Sequence, residues 1–268
     1  MGLIFDIHSA KRYESWHASP QGVAMDHFFQ AYTPLLLEPL SGDRVLDIGC
    51  GSGNHLYYLK QLGLHITGVD ASPYMISKAK ERLGGGCMLK TGMAEDLPFE
   101  DNEFDLAIFV NTLEFLNDPF QALREAGRVA RRKILINVIN SFSWYDLAYK
   151  LRGLYHDFHL IHFNSFNLWQ LKSGIYTIFG RVPIIWKSTP FFPTLFEKIS
   201  RFLPYFRQYA HCPFGSFLGI SFNIAYSIKT NNLPLKIRTN KAGQSIAGGV
   251  TPVGRIKRTE ENERSLYL

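Results

Sequence analysis

A glycine-rich turn follows the first strongly apolar segment of the chain. Residues 44–48 read RVLDI and lead into Gly49, Gly51 and Gly53, after which a helix-like segment begins. Glycine lets a backbone turn tightly and lets a ligand approach closely, so this order of strand, turn and helix is typical of a nucleotide site. Asp47 lies two residues before the first glycine, where a carboxylate suits a cationic group, such as an α-amino group, better than a pyrophosphate. The turn therefore predicts a ligand with a cationic end, and a tight turn without a ligand is the alternative.

The glycine spacing argues against a dinucleotide. It is GxGxG rather than GxGxxG, Asn54 occupies the place of the third dinucleotide glycine, and the loop carries no basic residue. Asp70 follows the second predicted strand, where a carboxylate can accept hydrogen bonds from both hydroxyls of a ribose. Ser72 can cap the next helix, which leaves Asp70 available. This arrangement suits a nucleoside with free hydroxyls, although NAD would satisfy Asp70 equally well.

A third segment, residues 93–99 (MAEDLPF), follows the third predicted strand. Its position at the carboxyl edge of the sheet would let its apolar side chains clamp a flat base, while a polar group receives an exocyclic amine. Taken alone, it is an acidic loop.

The rest of the chain alternates strand-like apolar runs with helix-like segments, which is the pattern of an α/β protein. Strands are predicted over 44–48, 64–69, 87–90, 104–110, 133–138, 183–187 and 219–228. Helices are predicted over 56–61, 75–83 and 120–130, the last beginning at Asp118-Pro119. We expect a doubly wound, seven-stranded, mainly parallel sheet with an N-terminal helical cap (1–40), a core (41–230) that includes aromatic-rich lid segments (140–217), and a basic, disordered tail (231–268).

Composition limits the classes of function. The net charge of the 268 residues is +6, of which the tail contributes +4. The three cysteines are far apart, which predicts neither disulfides nor a zinc site and favours a reducing compartment. The first residues do not resemble a secretory signal and no run is long enough to span a membrane, so a cytoplasmic location is expected.

The motifs DIGCGSG, GVDAS, AEDLPF and FDLAIFVNTLEFLNDP resemble those of the class I S-adenosylmethionine (SAM)-dependent methyltransferases. They are most similar to the group typified by the ubiquinone/menaquinone-biosynthesis enzymes. The resemblance covers roughly residues 10–230, and strongly only 42–139. The segment AKRYESWHASPQG also resembles the entry segment of this group, in which a Tyr–Trp helix covers the cofactor. The resemblance implies a Rossmann-like methyltransferase fold, SAM as cofactor and methyl transfer as activity.

The resemblance also implies roles for single residues. Asp47 and the turn backbone would hold the methionine moiety, and Asp70 the ribose. Ala71 and Met75 would flank the adenine, and residues 93–95 would surround the amine of the adenine. Asn111 and Leu113 would lie beside the sulfonium. The family often has Asp or Asn where this chain has Met93, so Glu95, Asp96 or backbone amides are expected to take over that contact. The expected cofactor-binding set is Asp47, Gly49, Cys50, Gly51, Ser52, Gly53, Asp70, Ala71, Met75, Met93, Ala94, Glu95, Asp96, Asn111 and Leu113.

Methyl transfer needs mainly a well-positioned acceptor, and it needs a base only where the acceptor must lose a proton. The candidate catalytic residues are Tyr13, His17, Glu114, His156 and His159. On a helix, His156, His159 and His162 would share one face, but no carboxylate stands at a matching step. We therefore expect no metal site there, and place His156 or His159 near the substrate.

Residues 142–222 contain 22 aromatic residues, eight Lys or Arg and three Asp or Glu. Connections in this region build the acceptor pocket in the fold that the resemblance implies, so an apolar or aromatic acceptor is expected, quinone-like or lipid-like. The alternative is that these aromatics only pack outer helices. Residues 191–207 predict a basic amphipathic helix, either a lid over the pocket or a transient contact with a membrane surface.

Other functions compete with methylation of a small molecule. A nucleic-acid methyltransferase has only the basic tail and the pI of about 9.1 in its favour. NTLE follows the fourth strand in place of (D/N)PP(Y/F), and no Pro-Cys nucleophile is present there, so no nucleic-acid partner is expected. A SAM-binding protein without catalytic activity and a dinucleotide-dependent oxidoreductase are further alternatives.

Overall fold

The computed structural model describes residues 4–143, 164, 166–189 and 212–224 of the chain. Seven strands form one sheet: β1 (Arg44–Ile48), β2 (His65–Asp70), β3 (Met88–Thr91), β4 (Phe104–Val110), β5 (Ala130–Ile139), β6 (Ile184–Ser188) and β7 (Phe217–Asn223). The α-helices of the described part are α1 (Ile7–His17), α2 (Pro20–Leu37), α3 (Asn54–Gln61), α4 (Pro73–Leu83), α5 (Pro119–Val129) and α6 (Leu168–Phe179), and a 3₁₀ turn covers Leu113–Phe115.

The strand order is β3-β2-β1-β4-β5-β7-β6. Strands β1 to β5 pair in parallel, whereas β7 pairs antiparallel with both β5 and β6. The chain reverses its direction across the sheet between β1 and β4, since β1 pairs with β2 on one side and β4 on the other. The carboxyl ends of strands beside such a switch point form the usual ligand crevice of open α/β sheets. The predicted seven-stranded, mainly parallel fold is confirmed.

Helices cover both faces of the sheet. One hydrophobic cluster joins α5 and α6 to one face, and the second joins α2, α3 and α4 to the other. Every residue of β4 is buried, as expected for a central parallel strand covered on both sides. The central strands are continuous apolar runs in the sequence because their side chains are buried on both faces of the sheet.

Two helices occupy the predicted cap region before β1. The Asp6 side chain caps α1 by accepting a hydrogen bond from the Ser9 amide at 2.7 Å. Ser19 caps α2 in the same way, and Pro20 stands at its first position, where its missing N–H costs nothing. Helix α2 lies close against β7, since a Cβ added at Gly219 would be 2.8 Å from Leu36 Cδ1.

The predicted elements differ from the observed ones mainly at their ends. Strand β5 begins three residues before its prediction, and β7 begins two residues early and ends at Asn223. Helix α6 has no predicted counterpart, although Asn167 and Gln170 form a capping box at its start. His156, His159, His162, the predicted helix over 191–207 and the tail over 231–268 lie outside the described residues. Among the described helices, none has the length and apolar character needed to cross a membrane.

Candidate active site

The glycine turn joins β1 to α3 at the carboxyl edge of the sheet. The amides of Gly49 and Cys50 both donate to the Val69 carbonyl, at 2.8 and 3.0 Å. The Gly51 amide donates to Asp70 Oδ2 at 2.9 Å. These bonds tie the turn to the end of β2, so that the two predicted motifs form one structure.

Gly49 and Gly51 are both left-handed, with φ of 76° and 52°, but they serve different purposes. A Cβ at Gly49 would lie 2.2 Å from Thr112 Cγ2, so this glycine allows the turn to pack against the end of β4. A Cβ at Gly51 would meet no atom within 4 Å. Gly51 therefore leaves its backbone open to the space above the turn.

Asp47 lies beneath this turn and is 1% exposed. Neither carboxylate oxygen has a hydrogen-bond donor among the described residues. Burial, with a contribution from Asp70, raises the pKa of Asp47 to about 8. The charge of Asp47 acts on Tyr13 and Cys50, which both line the cavity above the turn. Burying an ionised carboxylate without a partner costs free energy. A cation in the cavity would supply the opposite charge that stabilises it.

Asp70 ends β2 with both oxygens engaged by the backbone. Oδ1 accepts from the Ser72 amide at 2.8 Å, and Oδ2 accepts from Gly51. Burial raises the pKa of Asp70 despite these bonds. Ser72 caps α4 by accepting from the Met75 amide, as the sequence predicts, so Asp70 is not needed for the cap.

Two further buried acceptors lie around the same space. Glu95 Oε1 accepts from the Asn117 amide at 3.1 Å, while its Oε2 has no donor among the described residues. Asn111 follows β4 in a left-handed conformation with φ of 50°, and its Oδ1 likewise lacks a donor in that part of the chain. Both side chains are therefore available to a ligand that carries N–H or O–H groups.

The cavity has a volume of about 840 Å³, including the part that opens to solvent. Of the residues predicted from the sequence, its wall contains Tyr13, Gly49, Cys50, Gly51, Ser52, Asp70, Ala71, Met75, Met93, Ala94, Glu95 and Asn111. The sequence prediction missed Ile4, Phe5, Asn54, His55, Val69, Gly92, Val110, Thr112, Phe115 and Leu116. Val110 and Thr112 could have been found from their place at the end of a strand, whereas nothing in the sequence marks Ile4 or Phe5.

Several predicted residues lie outside the cavity wall. Asp47 lies in β1, Gly53 faces α4, where an added Cβ would be 3.2 Å from Ala79 Cβ, and Asp96 forms a bridge with Met93. Leu113 is fully buried in the core with β4 and α5, because the 3₁₀ turn directs it away from the cavity. Its neighbours Thr112 and Phe115 line the wall instead.

The described candidate bases differ in position. Tyr13 lines the cavity, and burial, reinforced by the charges of Asp26, Glu114, Asp47 and Asp70, raises its pKa. Glu114 is completely buried outside the wall, where Oε1 accepts from the Ile139 amide at 2.9 Å. Burial raises the pKa of Glu114 to about 8.

His17 lies behind the cavity wall. Its Nε2 lies 3.2 Å from Asp26 Oδ1, so the ring is directed toward α2. The position of His17 therefore gives it no direct contact with the space above the turn.

The N-terminal segment closes one side of the cavity. Ser72 Oγ donates to the Phe5 carbonyl at 2.6 Å, which attaches this segment to the loop after β2. The Phe5 ring meets Phe115 and Tyr13 edge-on, with centroids 5.2 and 5.6 Å apart. Phe5 and Tyr13 thus form a lid of aromatic rings over the strand ends.

Comparisons with known proteins agree with this geometry. Residues 46–135 match the family model described as a methyltransferase domain. An uncharacterized protein of Methanocaldococcus jannaschii is 31% identical over 149 residues, which cover 55% of this chain and 66% of that protein. The demethylmenaquinone methyltransferase of Thermotoga maritima is 37% identical over 101 residues, covering 37% of this chain and 43% of the enzyme. The chain thus spans less than two thirds of the length of the curated relatives that it matches.

The fold has matches among solved structures. A SAM-dependent methyltransferase of Thermotoga maritima, described as a possible histamine N-methyltransferase, superposes with a TM-score of 0.57 at 21% identity. The superposition covers 80% of this chain and 95% of that protein. The structural match agrees with the fold. The family match over residues 46–135, together with the quinone-methyltransferase relatives, identifies a SAM-dependent methyltransferase domain in this chain, which resembles the class I enzymes of the ubiquinone/menaquinone-biosynthesis group and has SAM as its cofactor.

Proposed function

We propose that this protein transfers a methyl group from SAM to a small apolar or aromatic acceptor, with a quinone-like ring as the first candidate. The observation that carries the proposal is the buried Asp47 carboxylate, which has no hydrogen-bond partner among the described residues and lies beneath the open turn at Gly51. SAM supplies a methyl carbon on a sulfonium, whose C–S bond breaks with its electron pair left on sulfur while the acceptor atom forms the new bond. The ligand is cationic at the sulfonium and at its α-amino group, and such a cation would favour the ionised form of Asp47, whose pKa is raised by burial while the cavity is empty.

Residues of the cavity wall are suited to bind the ribose and the adenine of SAM. Asp70 is placed to accept from the ribose hydroxyls, since it lies at the end of β2 beside Gly51. Met75 and Met93 provide apolar surface for the adenine ring. We assign the adenine amine to Glu95, because its Oε2 has no donor among the described residues and can accept a hydrogen bond that Met93 cannot. The resemblance implies Asn111 and Leu113 beside the sulfonium. Of these two we assign Asn111, whose Oδ1 also lacks a donor in the described part of the chain.

An aromatic cluster at the same edge of the sheet supports an apolar acceptor. Phe142 follows β5, Trp169 opens α6 and Phe214 precedes β7, with ring centroids 5.8 and 6.4 Å apart along the series. The three side chains are 51%, 52% and 44% exposed. Exposed aromatic surface of this kind provides stacking partners for a flat acceptor ring. The T. maritima relative named for demethylmenaquinone agrees with this class of acceptor.

Tyr13 is the described candidate base that reaches the cavity, and its raised pKa defines what it can do. The phenol stays protonated at neutral pH, so it would donate a hydrogen bond to the acceptor rather than remove a proton. Its contribution is then to orient the acceptor atom toward the methyl group, which is where most of the catalysis of such a reaction lies. His156 and His159 remain candidates for a base.

The proposal is tested by incubating the full chain with SAM and a panel of quinols, phenols and lipid-like acceptors, while following S-adenosylhomocysteine. Formation of this product with at least one such acceptor, and its loss in Gly51→Asp, is the expected result. Binding of SAM without product from any member of the panel would contradict the proposed acceptor class. SAM binding without product would instead indicate a non-catalytic SAM-binding protein or a methyltransferase whose acceptor belongs to another class.

A further inference from the structure

Three potential metal ligands from three different helices meet beside the cofactor cavity. His17 ends α1, Asp26 lies in α2 and His55 lies in the first turn of α3. Asp26 Oδ1 is 3.2 Å from His17 Nε2 and 3.3 Å from His55 Nε2. Each residue offers one ligand atom, and the three atoms lie within 4.8 Å of one another. Residues that are far apart in the chain thus converge at one point.

Hydrogen bonding gives an incomplete account of this convergence. Both rings direct Nε2 at the same carboxylate oxygen, and both distances exceed the 2.7–2.9 Å of a charge-assisted hydrogen bond. His55 is 7% exposed, and its Nε2 and Asp26 Oδ1 are buried without a hydrogen-bond partner of good geometry among the described residues. Buried polar atoms are rarely left in this state, so the pair of orphaned atoms requires an explanation.

A bound cation supplies that explanation. Two imidazole nitrogens and one carboxylate oxygen are a common ligand set for Zn²⁺ and similar divalent transition metals. A tetrahedral ion about 2.0–2.1 Å from each ligand would set the ligand atoms roughly 3.3 Å apart. The separations from Asp26 Oδ1 to the two rings match this value.

The neighbouring Asn54 side chain is suited to the edge of such a site. Its Nδ2 lies 3.2 Å from His17 Nε2, and its Oδ1 is buried without a donor in the described structure. A half-turn of the amide exchanges these two atoms, which would present the oxygen to the cluster. Asn54 or a water molecule would then complete a four-coordinate ion.

We propose that His17, Asp26 and His55 form a site for a divalent transition-metal ion of the zinc type. The site adjoins the cofactor cavity, since His55 and Asn54 belong to the cavity wall whereas His17 and Asp26 lie outside it. No metal site is expected from the sequence alone, and the histidines considered there, 156–162, are different residues. The inference does not depend on the methyltransferase reaction.

The position of the ion gives it a structural role. It joins both helices of the N-terminal region to α3, which begins at the glycine turn. Tyr13 lies one helical turn before His17, so an ion on His17 fixes the part of α1 that faces the cavity. Metal occupancy is thereby coupled to closure of the N-terminal segment over the cofactor, and each ligand should raise the affinity for the other.

The test is a titration of the full-length protein, freed of metal, with Zn²⁺ against a competing chromophoric chelator, without SAM or acceptor. We expect one strongly bound equivalent in the wild type. The dissociation constant should rise at least tenfold in Asp26→Asn and in His17→Gln. His27→Gln is the matched control, since His27 is the exposed neighbour of Asp26 on α2, and it should bind as the wild type does.

Co²⁺ gives a second readout that does not depend on the stability of any variant. We expect visible ligand-field bands of a four- or five-coordinate ion with nitrogen and oxygen ligands in the wild type, and their loss on adding Zn²⁺. Absence of tight Zn²⁺ binding to the wild type would overturn the proposal. So would equal affinity in the wild type, Asp26→Asn and His17→Gln, because the ion would then be bound elsewhere. Since neither measurement involves SAM, failure here is distinguishable from failure of the proposed function.

Discussion

At the scale of single residues, two carboxyl groups stand out because burial raises their pKa values and disfavours their ionised forms. Asp47 and Glu114 are buried, and both have pKa values raised to about 8. Asp47 lies under the open turn at Gly51, where a bound cation would stabilise its ionised form. Glu114 lies behind the wall, and among the described residues only its Oε1 has a hydrogen-bond donor. The two raised pKa values therefore predict different behaviour.

Binding of SAM should release protons through Asp47. Without a ligand the carboxyl is largely protonated at pH 7, and a nearby cation favours its ionised form. Affinity for SAM should therefore rise from about pH 6 to about pH 7.5, below the range in which an α-amino group itself loses its proton. Calorimetry in buffers of different ionisation enthalpy measures the proton release. Asp47→Asn should bind about tenfold more weakly or worse and release fewer protons; equal release by this variant would remove Asp47 from the account.

Glu114 should make stability depend on pH. Its pKa is raised from the ordinary 4.5, so the folded state holds this proton more tightly than the unfolded state. The resulting stability is present below about pH 4.5 and is lost as pH rises toward 8. Glu114→Gln mimics the protonated form, so its unfolding free energy relative to the wild type should increase by at least ~1 kcal/mol between about pH 5 and pH 8. Chemical denaturation at both values measures this, with the exposed Glu100→Gln as a control that should show no such trend.

At the scale of secondary-structure elements, the glycine turn works through contacts with two strands. Its amides bond to the end of β2, and Gly49 packs against Thr112 after β4. A correct turn therefore depends on the register of the three central strands.

Substitutions in the turn should separate packing from ligand access. Gly49→Ala is strained by its positive φ and by the 2.2 Å approach to Thr112, so it should lower the thermal midpoint markedly. Gly51→Asn faces open space in a left-handed conformation that Asn tolerates, so the fold should be retained. SAM affinity should nevertheless fall, because the side chain enters the cavity. Thermal melts with SAM titrations check both variants, and equal midpoints for the two would contradict the packing role of Gly49.

The sequence predicted the sheet well because each strand is a short apolar run next to a turn signal. Helix α6 was missed because Leu168–Phe179 is rich in aromatic and β-branched residues, and its helical state depends on its capping box and its packing onto the core. The position of Leu113 could not be predicted either, because the 3₁₀ turn after β4 changes which side chains face the cavity. The cluster of His17, Asp26 and His55 has no recognisable spacing, since it arises only when three helices pack.

At the scale of the whole molecule, we propose that the N-terminal segment covers the cofactor cavity at the carboxyl edge of the sheet. Helix α2 packs against the sheet, whereas the segment before it is held by the bond between Ser72 and the Phe5 carbonyl and by the contacts of α1 around His17. Phe5 and Tyr13 place aromatic rings over the cavity between these points. We therefore expect the cofactor to leave slowly only while this cover is closed.

Removal of the Phe5 ring should weaken the cover without disturbing the sheet. In Phe5→Ala the edge-on contacts with Phe115 and Tyr13 are lost, so SAM should dissociate several-fold faster while its association rate changes little. Stopped-flow fluorescence or competition kinetics measures both rates. Ile7→Ala is the matched control, since Ile7 is 51% exposed on the same segment, and it should leave both rates unchanged. An unchanged dissociation rate in Phe5→Ala would contradict a covering role.

Calorimetric titration of SAM into the full-length protein is the decisive test of cofactor binding. We expect binding of one equivalent. We also expect a loss of at least tenfold in affinity in Asp70→Ala, which removes the ribose acceptor, and a smaller loss in Asp70→Asn, which keeps one acceptor oxygen. Absence of SAM binding to a folded wild-type protein, or equal affinity in the wild type and Asp70→Ala, would contradict the proposed cofactor site.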